Sequence, residues 1–188
     1  MVRLFVALEI PTNVRENLAA LLQSLRAISR EPKWVRPQNL HVTLKFLGEV
    51  GDSKVDTVRV ALSGIRSEQA VWLEFRGVGF FPNAKHPRVF WAGIEASPNL
   101  KQLASDVESA MEKCGFPRES REFSPHLTLA RFERQGLPEK LRDAVAENMQ
   151  REFGKLRTNE FRLIQSKLKP TGAEYTTLAR FSFAPGQP

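Results

Sequence analysis

The sequence predicts an α+β fold of two lobes made by internal duplication, in which two antiparallel sheets with outer helices surround a central cleft. Three observations predict it. The pattern histidine–apolar–threonine–leucine occurs as His41-Val42-Thr43-Leu44 and again as His126-Leu127-Thr128-Leu129. The copies lie 85 positions apart in a chain of 188 residues, close to half its length. Each copy is followed by the same succession of a helix and two consecutive strands. That period is too long for a solenoid array. It fits one bilobal domain over residues 1–188, its lobes related by a pseudo-two-fold axis, each delivering one motif to the cleft where ligand sites prefer to lie.

The elements follow in order. Arg3 to Ile10 is rich in β-branched and aromatic residues and ends at Pro11, a strand. Thr12 offers an N-cap, and Val14, Leu18, Leu21, Leu22 and Leu25 keep helical spacing to Ser29. Pro32 and Pro37 break the chain before the first motif strand, Leu40 to Val50. Asp52 or Ser53 caps a second helix whose inner face is Val55, Val58, Leu62 and Ile65. Trp72 to Phe80 and Arg88 to Ile94 are strands joined by the turn-rich segment Pro82 to Pro87. Ser97 with Pro98 starts a third helix carrying Leu100, Leu103, Val107 and Met111, ended by Gly115. Phe123 to Phe132 is the second motif strand, Leu137 to Phe153 a fourth helix stopped by Gly154, and Lys155 to Leu168 and Glu174 to Phe183 a last strand pair around Lys169-Pro170-Thr171-Gly172.

Composition narrows the class. The hydrophobic content of 41%, with 13 Phe, supports a packed interior. The single cysteine, Cys114, excludes an internal disulfide and a cysteine-based zinc site. No charged-then-apolar leader and no apolar run of membrane-spanning length is present, so a soluble cytoplasmic protein is expected. The net charge of +7 favours an anionic partner, nucleic acid before others.

The motif chemistry follows from strand geometry. Residues i and i+2 share a face, so His41 and Thr43 stand side by side, as do His126 and Thr128, with Val42, Leu44, Leu127 and Leu129 toward the core. Two of three histidines carry threonine at +2, a coincidence expected by chance about 0.5% of the time, which favours a shared site over two unrelated strand histidines. Two imidazoles facing one substrate suit one acid and one base near neutrality. Two histidines with no carboxylate on the motif faces are thin for a metal, and no G-x-S-x-G motif supports a serine nucleophile. Opening of a phosphodiester needs an acid and a base and neither metal nor cofactor; the threonine hydroxyls then donate to non-bridging oxygens. Arg131, at +5 from His126, falls on the wrong face of an ideal strand and reaches the cleft only if the strand twists, bulges or ends there. Lys45, at +4 from His41, has cleft parity; Phe46 could stack on a base, with packing its expected role. His86, in its turn, is structural; Ser166 and Tyr175 lie in the C-terminal hairpin, where they can line the cleft or simply hydrogen-bond.

The stretches RLFVALEIP, WVRPQNLHVTLKFLGEV, FSPHLTLARF and SKLKPTGAEYTTLARF together resemble the 2H phosphoesterases, named for two His-x-Thr/Ser-x motifs, across essentially the whole chain. The branch it is most similar to is the bacterial and archaeal RNA 2′,3′-cyclic phosphodiesterases, formerly called 2′-5′ RNA ligases. The resemblance implies metal-independent hydrolysis of a terminal 2′,3′-cyclic phosphate on RNA to a 2′-phosphomonoester, with no cofactor. It implies His41 as the acid for the departing 3′ oxygen, His126 as the base that activates water, and Thr43, Thr128 and Arg131 as phosphate ligands. The family name also carries a 2′-5′ ligation, the reverse joining reaction. A monomer acting on RNA or an oligonucleotide, away from membranes, is the expected working form. Two other readings stand beside this one: a phosphodiesterase for small cyclic nucleotides, and a non-catalytic nucleotide- or RNA-binding module.

Overall fold

The computed structural model describes residues 1–133, 136–170 and 172–185. In chain order the elements are β1 (Val2–Glu9), α1 (Thr12–Ile28), β2 (Lys33–Trp34), a 3₁₀ turn (Pro37–Asn39), β3 (His41–Val50), α2 (Asp52–Ser63), β4 (Val71–Phe81), β5 (Val89–Ala96), α3 (Asn99–Lys113), β6 (His126–Arg131), α4 (Glu139–Ala146), β7 (Glu152–Thr158), β8 (Glu160–Lys169) and β9 (Gly172–Ser182). Two antiparallel sheets form, with strand orders β3-β1-β8-β9 and β2-β6-β5-β4-β7.

Neither sheet belongs to one half of the chain. The first takes β1 and β3 from the first half and β8 and β9 from the second; the other joins β4 and β5 to β6 and β7. The strands β4 and β5 that follow the first motif therefore share a sheet with the second motif's strand, and β8 and β9 share one with the first motif's strand. Each lobe still presents one motif, but both halves are needed to build either lobe. One continuous apolar core reflects this, running through Leu4, Val6, Leu8, Val42 and Phe161 of the first sheet and Phe75, Phe90, Leu127 and Phe153 of the second. Helices cover the outer faces: α1 and α4 contact each other and α1 lies on β7, while α2 and α3 contact each other, with α2 on β9 and α3 on β3 and β4. Among the described residues no helix is long and apolar enough to cross a membrane.

Local chemistry moves several boundaries. Thr12, Asp52 and Ser97 do not cap: Pro11, Gly51 and Pro98 occupy the cap positions without a side-chain hydrogen bond. Asp52 instead binds the N-terminal amine at 3.0 Å, and the Ser97 hydroxyl accepts the Trp72 N–H at 2.9 Å. The helix expected over Leu137–Phe153 ends at Ala146, because Phe153 is fully buried in β7, where its carbonyl accepts the Asn17 amide at 2.9 Å. The long strand expected over Lys155–Leu168 is two strands in different sheets. It divides at Asn159, whose carbonyl accepts the Phe183 N–H and whose amide bonds the Ala184 carbonyl. Thr171 of the expected Lys169–Gly172 turn lies outside the described residues.

The short segment from β2 to β3 ties the motifs together. β2 pairs with β6, placing Lys33 opposite Arg131 and Trp34 opposite Ala130, and the Val35 N–H donates to the Leu129 carbonyl at 2.8 Å. The 3₁₀ turn then leads the chain through Leu40 into His41. β3 and β6 approach each other, with Cα atoms of the two strands within 8 Å.

Candidate active site

Both histidines begin their strands, and both are held the same way. His41 Nδ1 lies 3.1 Å from the Asn39 carbonyl, and His126 Nδ1 lies 2.8 Å from the Ser124 carbonyl. A carbonyl only accepts, so each Nδ1 carries the proton and each Nε2 is left for a substrate. The carbonyl belongs to the residue two before the histidine in both copies, so the duplication extends to what orients the rings. Asn39 is anchored in turn, its amide donating to the Ala173 carbonyl of β9 at 2.7 Å.

Aromatic side chains wall each imidazole. Phe5 stands edge-on to His41 with ring centroids 6.0 Å apart, and Tyr175 lies 5.6 Å away. Phe81 stands edge-on to His126 at 5.2 Å and packs against Trp91 at the same distance. Trp91 lies over Gly79, where a Cβ would collide with the indole, so a larger residue there would have to displace Trp91.

Thr43 and Thr128 share the faces of their histidines, as the two-residue period requires. Beyond them the period breaks, identically in both copies. In β3, Thr43 pairs with Ala7 and Lys45 with Val6, leaving Leu44 as an extra residue. In β6, Thr128 pairs with Trp91 and Ala130 with Phe90, leaving Leu129 as the extra residue. Each is a β-bulge that shifts the following side chains to the opposite face. Arg131 is thereby turned to the cleft face and is exposed. Its charge is felt across the cleft: burial raises the pKa of the Tyr175 hydroxyl, while Arg131 and Arg3 draw it down.

The same bulge corrects the parity reading of Lys45. That side chain is 2% exposed and faces inward, its Nζ 2.7 Å from Glu108 Oε2 of α3 and 2.9 Å from the Pro117 carbonyl. Phe46 takes the cleft position instead, the counterpart of Arg131. The Asn83 side chain accepts the N–H of Lys85 and of His86, which fits a structural turn. Tyr175 lines the cleft beside His41, opposite Ser166 in the β8–β9 ladder.

Burial holds the His41 imidazole below its ordinary value of 6.5. The Asn39 carbonyl opposes this, Arg15 and Arg162 reinforce it, and Glu9 works against them. Glu9 sits opposite His41 in the ladder, pairs with Arg162, and lies 3.9 Å from Arg15. Sequence reasoning missed this ionic surround; the available signal was that Arg3, Phe5, Ala7 and Glu9 share one face of β1, but their partner strands were not legible. Among the described residues no group of three or more His, Cys, Asp or Glu side chains is placed to hold a metal ion.

Comparison with known proteins gives the family and the fold. Residues 14–169 match the model of the 2′-5′ RNA ligase superfamily. A protein of Archaeoglobus fulgidus named RNA 2′,3′-cyclic phosphodiesterase is 40% identical over 179 residues, covering 95% of this chain and 99% of that one. A crystal structure of a Thermus thermophilus protein superposes with a TM-score of 0.78 at 32% identity, covering 96% of this chain and 97% of its own. That of E. coli LigT complexed with NADP+ has a TM-score of 0.72 at 28% identity, covering 98% of each chain. On the match that spans most of its length, and on the full-length likeness to the Archaeoglobus relative, the chain belongs to the 2′-5′ RNA ligase superfamily, the 2H phosphoesterases.

Proposed function

We propose that this protein hydrolyses 2′,3′-cyclic phosphate ends of RNA to 2′-phosphomonoesters by paired histidine acid–base catalysis, without metal or cofactor. The observation that carries the reading is the mirrored Nδ1–H to carbonyl bond, which leaves two Nε2 atoms for substrate on strands that approach each other. His126 Nε2 takes a proton from water as its oxygen attacks phosphorus in line. The bond from phosphorus to the 3′ oxygen breaks, and that oxygen takes a proton from His41 Nε2. Thr43 and Thr128 donate to the non-bridging oxygens, and the Arg131 fork neutralises the charge that builds there. His41 must be protonated to act, yet burial favours its neutral form. The incoming phosphodiester anion corrects this, since an adjacent opposite charge raises an imidazole's pKa.

Both motifs come from one chain, so a monomer suffices, working as a single unit in the cytoplasm on RNA ends. The test is phosphorus NMR of the product from a dinucleotide ending in a 2′,3′-cyclic phosphate, run with and without EDTA. A 2′-phosphomonoester formed equally in both is expected; a 3′-phosphate, or loss in EDTA, overturns the reading. Faster turnover of an oligonucleotide than of a mononucleotide is expected as well. The reverse ratio would point to small cyclic nucleotides, and binding with no product over hours to a non-catalytic module.

A further inference from the structure

One row of the first sheet turns a cation and two hydroxyls toward the cleft. In the ladders Arg3 of β1 stands opposite Ser166 of β8, and Ser166 stands opposite Tyr175 of β9. Directly opposed residues share a face. This face is the one on which Phe5, Ala7, Ile164 and Tyr175 pack together beside His41. Glu49 of β3 flanks Arg3 on its other side. Among the described residues Arg3 forms no ion pair, with Glu49 or any other carboxylate, and neither the Ser166 nor the Tyr175 hydroxyl has a hydrogen-bond partner. Arg162, on the same face, is by contrast committed to Glu9 and Glu160.

The row starts at the catalytic site. The Tyr175 ring lies 5.6 Å from the His41 imidazole, and its hydroxyl feels the charge of both Arg131 and Arg3. In-line chemistry gives the direction in which the substrate leaves. Water and the departing 3′ oxygen occupy opposite sides of phosphorus. With His41 serving that oxygen, the departing ribose lies against the first sheet. Its 5′ oxygen, and the next phosphate of the strand, lie on that side too. Arg3 is the cation that the row offers to that phosphate.

We infer that Arg3, with the hydroxyls of Ser166 and Tyr175, binds the phosphodiester that joins the terminal nucleotide to the rest of the RNA. The row thereby distinguishes an RNA end from a cyclic mononucleotide. This rests on the phosphodiesterase reading above. A guanidinium fork with hydroxyl donors suits a tetrahedral anion, and its bonds to phosphate are charge-assisted.

The test varies only the 5′ group of the substrate. Initial rates are compared for a nucleoside 2′,3′-cyclic phosphate with a free 5′ hydroxyl, for its 5′-(methyl phosphate) diester, and for the uncharged 5′-(dimethyl phosphate) triester. The native protein should prefer the diester over the free hydroxyl by about ten- to a hundredfold in kcat/KM, mostly through KM. The triester should gain little, and added sodium chloride should shrink the preference. Arg3→Ala should abolish the preference by slowing the diester alone, and Arg3→Lys should keep part of it. Tyr175→Phe should narrow it by a smaller factor, since a neutral donor is lost. No native preference, a preference that survives Arg3→Ala, or an equal loss on all three substrates overturns the inference. Calorimetric binding of a nucleoside 2′-phosphate with and without the 5′-methyl phosphate gives a readout without turnover: Arg3→Ala should weaken only the doubly phosphorylated ligand. A native protein that converts none of the cyclic substrates defeats the phosphodiesterase reading, while the binding arm still decides the role of Arg3.

Discussion

The two motif sites share a backbone and differ in their surroundings. In each, a histidine bonds the carbonyl two residues before it, a threonine follows at +2, and a bulged leucine follows at +3. The differences begin after the bulge: β3 carries a buried lysine and then an exposed phenylalanine, β6 a buried alanine and then an exposed arginine. His41 is flanked by Phe5, Tyr175, Glu9, Arg15 and Arg162, whereas His126 has Phe81 as its ring neighbour. Duplication copied the geometry that aims the imidazoles; divergence at the positions the bulge exposes put an aromatic ring on one side and a cation on the other.

The sharpest break of this near-symmetry is removal of either imidazole. His41→Ala and His126→Ala should each lower turnover by about 10²- to 10⁴-fold while the fold persists by circular dichroism. A nucleoside p-nitrophenyl phosphodiester, whose leaving group needs no proton, should restore much of the rate to His41→Ala and little to His126→Ala. Equal rescue of both would remove the assignment of acid to one side and base to the other.

Arg131 tests the position where the copies differ most. Arg131→Ala should cost about 10²- to 10³-fold in turnover, and Arg131→Lys should recover only part, because a lysine cannot form the two-pronged contact. Full activity in Arg131→Ala would return that side chain to the ordinary surface.

Lys45 sharpens the comparison through stability. Lys45→Met strands the Glu108 carboxylate, and should destabilise the fold by about 3–5 kcal/mol in thermal or urea unfolding. Adding Glu108→Leu should recover most of that loss, since it removes the abandoned charge. A single variant as stable as the native protein would contradict the buried pair.

The smallest effect expected is in titration. His41 should titrate below 6.5 by NMR, lower still in Glu9→Gln because the carboxylate raises it, and higher when inorganic phosphate fills the cleft. Its folded pKa lies below its unfolded one, so the unfolded state binds the extra proton between them. The stability that goes with a neutral His41 is full above 6.5 and is lost as pH falls through the folded value.

Much of this was legible from residues alone. Periodicity located β1, α1, β3, α2 and α3 to within a few residues, because apolar spacing reports directly on which face is buried. The i, i+2 rule put each threonine beside its histidine. Boundaries near Gly154 and Asn159 were not legible, since Phe153 suits a helix face as well as a strand until β4 is present to pair with its neighbours.

What the sequence determined by itself was the pair of histidine–threonine strands, each set by the alternation of one chain segment. What only the tertiary structure decided was which side chains beyond Thr43 and Thr128 reach the cleft, and which strands gather around each motif. The reason is physical: a bulge is a property of two strands paired out of step, and the ladder Glu9–His41 or the exchange of β4 and β5 for β8 and β9 exists only once distant segments meet. Arg131 and Phe46 face the cleft because Leu129 and Leu44 lack a partner opposite, and no count along a single chain records that.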